Sequence, residues 1–293
     1  MKLKRGIMIH NQLLEGYDIV TINSGSVFHN DRIAADTVDF NGLQYIPQYE
    51  EDAYIVKRDW RKLSAVEKKT LQPNNNCNDY NTVYLGDIPD DLKICFKQLA
   101  LDDSKSRDEV LRKLSYDAQK TKKLSTKLDS FLFNYANKKP YSFHCIGVNP
   151  PNIELVACDT TKLPPNFKPS DIRYMGLHND GTTLMSIYTA HKFGNRISIN
   201  LSSESRHFIF VNLSMIQAYN MLKKKMSINE NDINIANIPQ IFFKHFPDYP
   251  VLKIKLKPYQ YYIAPTDNCF HDGSTLGNKN LDICIIYFGS FQY

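Results

Sequence analysis

From residue 141 to the C-terminus the chain is built of short β-type runs. YSFHCIGV, IELVAC, TTLMSIYTA, RISINL, RHFIFVNL, VLKIKL, YQYYIA and DICIIYF are separated by Pro, Asn, Gly and Ser. Runs of this length, rich in branched and aromatic residues and bounded by turn formers, read as strands. About eight of them in one stretch predict a barrel-like β domain. One segment departs from the pattern: SMIQAYNMLKKKMSINENDINIANIPQIFFKHF reads as a helix, a polar loop and a second helix, inserted over 214–246. Its role, as a lid or as a contact, is open at this level.

The first half has a different character. Ser64 with Glu67, and Ser106 with Glu109, have the spacing of a capping box, and Pro89-Asp90-Asp91 starts a helix carrying Leu92, Phe96 and Leu99. The second box predicts a long helix with an apolar stripe through Val110, Leu114, Leu124, Leu128, Phe131, Leu132 and Tyr135, stopped at Asn137 and Pro140. Residues 1 to about 60 mix turns with extended runs and predict a sheet edge or flap. The expected organisation is α+β: a mixed, helical region over 1–140 supports a β core over 141–293.

Bulk composition narrows the functional classes. Lys and Arg number 36 against 31 Asp and Glu, a surplus of +5 that suits an anionic small molecule and is too slight for a nucleic-acid footprint. The six cysteines include no C-x-x-C pair, so reduced thiols are expected. No apolar run is long enough to span a membrane and no secretory leader pattern opens the chain, so the expectation is a soluble, cytoplasmic protein. Oligomeric state cannot be read from these features.

Chemistry concentrates in two places. GLHNDGTTLMSIY carries His178 and Asp180 one residue apart, and His271 opens HDGSTLGNKNLDICIIYFG near the C-terminus. A His-x-Asp triplet alone is weak, because eight histidines among 31 carboxylates produce about one match by accident. FHND, with His29 and Asp31, is such a match, and it lies too early for strands to surround it. His178 instead follows an extended stretch and precedes the β-type run TTLMSIYTA, while His271 sits between YQYYIA and DICIIYF. His144, His191, His207 and His245 lie within or beside apolar segments, where a buried, hydrogen-bonded imidazole is the default.

On these residues, over roughly 141–293, the sequence resembles the Fe(II)- and 2-oxoglutarate-dependent oxygenases, a superfamily with a double-stranded β-helix, or jelly-roll and cupin-like, core. The resemblance implies that His178, Asp180 and His271 hold iron, with two imidazoles and a carboxylate on one face and the other face left to 2-oxoglutarate and dioxygen. Many members carry an Arg about ten residues after the distal His to receive the far carboxylate of 2-oxoglutarate. No Arg follows His271 here, and Asp282 occupies that neighbourhood. Other branches place the basic anchor on a strand after the His-x-Asp. Arg206, Arg196 and Lys279 are therefore the candidates, with Ser274 and Thr275 as hydroxyl contacts. Asp180 fills the position that halide-transferring relatives vacate, so hydroxylation is expected over halogenation.

The expected activity is hydroxylation of a small polar metabolite, such as an amino acid or its derivative, in a biosynthetic pathway. Two other readings stay open: an iron oxidase or oxygenase that does not use 2-oxoglutarate, and a cupin-like protein that binds without catalysis.

Overall fold

The computed structural model describes every residue except 32–35, 75–79, 116, 166, 227–231 and 293. Eleven strands form the two main sheets. In chain order these are β1 (Met8–Asn11), β2 (Val20–Ile22), β3 (Arg61–Lys62), β4 (Thr82–Asp87), β5 (Tyr141–Asn149), β6 (Asn195–Asn200), β7 (Arg206–Phe210), β8 (Leu252–Leu256), β9 (Gln260–Ala264), β10 (His271–Ser274) and β11 (Asp282–Gly289). The large sheet runs β1-β4-β9-β6-β11-β5 and the small sheet β10-β7-β8-β2-β3. Apart from the parallel pair β1 and β4, neighbours in both sheets are antiparallel.

Strand alternation assigns each face. After a short first helix α1 (Ala65–Leu71), helices α2 (Asp90–Lys97), α3 (Arg107–Ser115) and α4 (Ala118–Ala136) pack on the side of the large sheet that Ile197, Ile199, Tyr261, Ile263, Ile283 and Ile285 leave, through residues such as Phe96, Val110 and Leu132. On the other side, Leu85, Tyr262 and Ala264 share a cluster with Phe208, Phe210, Leu252 and Ile254 of the small sheet, so the two sheets face each other. The outer side of the small sheet, through Ile209 and Val211, is covered by α5 (Met215–Lys225) and α6 (Ile238–His245). The 214–246 insertion is thus, in its described residues, a packed layer.

Three local expectations are corrected. The long helix is two: Asp117 ends the run by accepting from the Gln119 and Lys120 amides, which starts a new helix at Ala118. IELVAC contributes only an isolated bridge, between Cys158 and Tyr174, and TTLMSIYTA forms turns and a short 3-10 segment. IELVAC runs beside β10, with Val156 N–H donating to the Gly273 carbonyl and Thr275 N–H to the Ile153 carbonyl, without a continuous ladder, and TTLMSIYTA folds back on itself in turns. The N-terminal region supplies strands to the sheet edges: β1 and β4 extend the large sheet, and β2 and β3 edge the small one.

The five described cysteines, Cys95, Cys145, Cys158, Cys269 and Cys284, are free thiols, and Cys77 lies outside the described residues. Among the described residues no helix is long and apolar enough to cross a membrane.

Leu132 is fully buried where α4 meets the large sheet. Leu132→Ala should lower the unfolding free energy by about 2–5 kcal/mol in denaturant titration. Lys122→Ala, on the exposed side of the same helix, should stay within about 0.5 kcal/mol.

Candidate metal centre

Two histidines distant in sequence are joined through their backbones. His178 N–H donates to the His271 carbonyl at 3.2 Å, and His271 N–H donates to the His178 carbonyl at 2.7 Å. Residues that exchange both bonds in this way lie directly opposite each other, so their side chains leave the same face. The imidazole centroids are 4.6 Å apart. Asp180, two residues beyond His178, comes to the same side with its amide donating to the Thr266 carbonyl at 3.3 Å. Its Oδ1 is 3.5 Å from His178 Nε2 and its Oδ2 is 3.3 Å from His271 Nε2. The three groups offer ligand atoms that all lie within 4.8 Å of one another, the one such cluster among the described residues. His29 and Asp31 of the earlier triplet sit in an exposed 3-10 turn.

The tautomers follow from the backbone. His178 Nδ1 is 2.9 Å from the Gly176 carbonyl and His271 Nδ1 is 3.3 Å from the Cys269 carbonyl. A carbonyl only accepts, so each Nδ1 carries a proton and each Nε2 is the ligating atom that faces Asp180. Gly176 is required there: its φ is +73°, and a Cβ would lie 2.6 Å from the Tyr54 carbonyl oxygen. Gly181 is confined by the insertion, because a Cβ there would meet Ile235 Cγ1 at 2.3 Å. Asn179 Nδ2 donates to the Ile235 carbonyl at 2.9 Å, so the insertion grips the loop that carries His178 and Asp180.

A divalent ion fits this donor set. Metal–ligand bonds of about 2.0–2.2 Å at near right angles place neighbouring donors about 3 Å apart, close to the separations found here. His178 and His271 are buried while the Asp180 side chain is 27% exposed, which leaves one side of the triad open. Burial works against a charged imidazole at His178, but the carboxylates of Asp180 and Asp272 outweigh it and hold it up to about 9. For Asp180, burial pushes upward and is overcome by His271, His178 and Arg196, leaving the carboxyl well below the usual range. Asp272 is fully buried and pushed up to about 6 by that burial, against the pull of His178.

Two largely shielded arginines, Arg196 and the buried Arg206, line the interior near the centre. Arg196 Nη1 lies 3.1 Å from Asp180 Oδ2 and 2.7 Å from Asp267 Oδ1. Arg206 lies on the face of β7 that also carries Phe208 and Phe210, with Phe210 opposite His271. Its Nε is 3.4 Å from Asp282 Oδ1, and its Nη1 donates to Ser198 Oγ at 3.1 Å. Both guanidiniums therefore already face carboxylates.

The other three candidate contacts are not brought to the triad. Ser274 is three residues beyond His271 on β10 and so lies on the opposite face, near His207 and Lys253. Thr275 donates to the Pro150 carbonyl and accepts from the Ile153 amide. Lys279 is exposed, in a turn held by its own amide donating to Glu204. Conversely, Thr266, Asp267 and Asp272 belong to the centre and were not singled out by the sequence: Thr266 and Asp267 have turn composition, and Asp272 is the immediate neighbour of His271.

No protein-family model and no curated protein matches the chain. Among solved structures, the chain is similar to the Kdo hydroxylase KdoO, a non-heme Fe(II) alphaketoglutarate dependent dioxygenase in complex with cobalt(II). The identity is 13%, the coverage is 71% of this chain and 80% of that one, and the TM-score is 0.39.

Because His178 Nε2 is protonated below about 9 in the metal-free protein, an incoming ion must displace that proton. Affinity for Co(II) should therefore rise with pH and level off above about 9, with proton release accompanying binding. Isothermal titration in buffers of different ionisation heat reads both quantities, and a pH-independent affinity would exclude His178 as a ligand.

Proposed function

We propose that this chain is a non-haem Fe(II)- and 2-oxoglutarate-dependent oxygenase that hydroxylates a small polar metabolite, such as an amino acid or its derivative. One observation carries the proposal: His178, Asp180 and His271 converge with both imidazole Nε2 atoms aimed at one carboxylate and one side left open. Two imidazoles and a carboxylate with vacant positions are the donor set suited to iron that must also accept reactants.

Strand order supports a double-stranded β-helix. The four-strand run β9-β6-β11-β5 faces β10-β7-β8, and the His178–His271 bridge adds a further rung beside β10. Consecutive strands β6 and β7, β8 and β9, and β10 and β11 alternate between the sheets, as a chain wound around a double sheet requires.

Iron, when bound, supplies the redox chemistry that activates dioxygen. The protein's residues do the rest. Gly176 and Cys269 carbonyls fix the imidazole planes, and the apolar wall of Phe208, stacked on Tyr262 at 4.2 Å, shields one flank of His271 from water. Arg206 is the anchor we assign to the far carboxylate of 2-oxoglutarate. It shares the interior face with His271, displaced by four residues along β7, or about 13 Å of strand, a gap that a five-carbon diacid and an arginine side chain together span. Burial works against the charge of Arg206, but Asp282 outweighs it and keeps the guanidinium ionised.

A second reading is favoured by that same pairing. Asp282 already balances Arg206, and Asp180 with Asp267 balance Arg196, so neither guanidinium is without a nearby carboxylate. An iron oxygenase that draws its electrons from the substrate would need no spare one.

Anaerobic Fe(II) and 2-oxoglutarate together should give a visible charge-transfer band, and turnover should release succinate. Iron binding without either result selects the second reading. His178→Ala should abolish Fe(II) binding. Arg206→Lys keeps the buried charge and loses the planar fork, so it should weaken 2-oxoglutarate binding by about tenfold or more, with Fe(II) affinity unchanged.

A further inference from the structure

Asp180 is held at both ends by one turn. Thr266 receives the Asp180 amide on its carbonyl, and the Thr266 hydroxyl accepts from Arg196 Nη1. That same nitrogen lies 3.1 Å from Asp180 Oδ2 and 2.7 Å from Oδ1 of Asp267, the next residue. Arg196 enters from β6, where it is opposite Ala264 on one side and Phe288 on the other, and its guanidinium rides over the Phe288 ring at 5.2 Å. Packing therefore fixes its direction. Asp267 is fully buried with Oδ2 lacking a hydrogen-bond partner, so Arg196 is the cation that makes its burial tolerable.

We infer that Arg196 is a positioning residue for Asp180, with Asp267 as its counterweight: Arg196 pairs electrostatically with Oδ2 of the ligand, and Asp267 keeps that pairing from cancelling the ligand's charge. The inference rests on the metal-centre reading. An ion pair at Oδ2 draws the carboxylate charge toward that oxygen and favours Asp180 giving Oδ1 alone, which preserves open positions for reactants. If Arg196 faced Asp180 alone, its full charge would oppose the cation that Asp180 must bind. Placed between two carboxylates, it leaves the group one negative charge in excess. The two arginines then divide their work, Arg206 toward the cosubstrate and Arg196 toward the ligand.

The probe is Co(II) added to the metal-free protein, with affinity read by chelator competition and ligand geometry by the visible d–d band. Asp267→Asn, nearly isosteric, should weaken Co(II) binding by about tenfold. Arg196→Gln should alter the band, because the freed carboxylate can give its second oxygen. In the Arg196→Gln background, Asp267→Asn should change affinity by less than about twofold, since Asp267 acts through Arg196. Arg196→Lys, which retains the buried charge, takes the place of the glutamine variant if that does not fold, and should alter the band as well. An unchanged band and affinity in both single variants, or additive effects in the double variant, would show a mere strut between β6 and the turn and overturn the inference. A wild-type protein that binds no Co(II) would overturn the metal reading, and this inference with it.

Discussion

The reciprocal pair of backbone hydrogen bonds between His178 and His271 is the constraint on which the rest of the site depends. It sets two side chains opposite each other on one face, and the single-residue offset to Asp180 then brings a carboxylate between them. A one-residue slip would turn one imidazole to the other face and dismantle the centre. The surrounding structure resists such a slip from three directions. Gly176 admits the backbone of Tyr54, Ile235 closes over Gly181, and β10 is tied across its other edge to β7.

Around that bridge the interior holds both apolar and charged side chains. Phe208 and Phe210 lie beside His271 with Leu252 and Ile254 in the same cluster, Arg196, Asp267 and Asp272 border the metal centre, and Arg206 with Asp282 lies four residues farther along β7. Buried charges are costly unless matched, and here they are matched: Arg206 with Asp282, Arg196 with Asp267 and Asp180, and Asp272 with the amides of Val156, Ala157 and Gly273. A fold governed by stability alone would favour apolar residues at these positions, so their presence marks the region where chemistry was kept at the expense of packing.

Much of the β core was legible because strand composition and turn residues repeat at short intervals. RISINL, RHFIFVNL, VLKIKL, YQYYIA and DICIIYF all pair in the main sheets. IELVAC and TTLMSIYTA misled because composition reports the capacity to pair and cannot report whether a regular ladder forms: IELVAC bonds to β10 only intermittently, and TTLMSIYTA closes into turns. The helix break at Asp117 was hidden by a stripe continuing on both sides of it, although Asp is a good cap. The cosubstrate candidates show the same limit. Ser274 and Thr275 follow His271 closely in sequence, but strand alternation and a turn direct them elsewhere.

What the sequence determined by itself was the inventory: which segments would be strands, which helices would line a face, and which three side chains were chemically suited to share an ion. Those properties are local, set by residue type and spacing over a few positions. Tertiary structure alone decided that residues 178 and 271 face each other, that an aspartate from a polar turn balances Arg196, and that Arg206 shares its interior with Asp282. These depend on register between strands far apart in the chain, and register is fixed by the whole set of pairings at once and by no single run of residues.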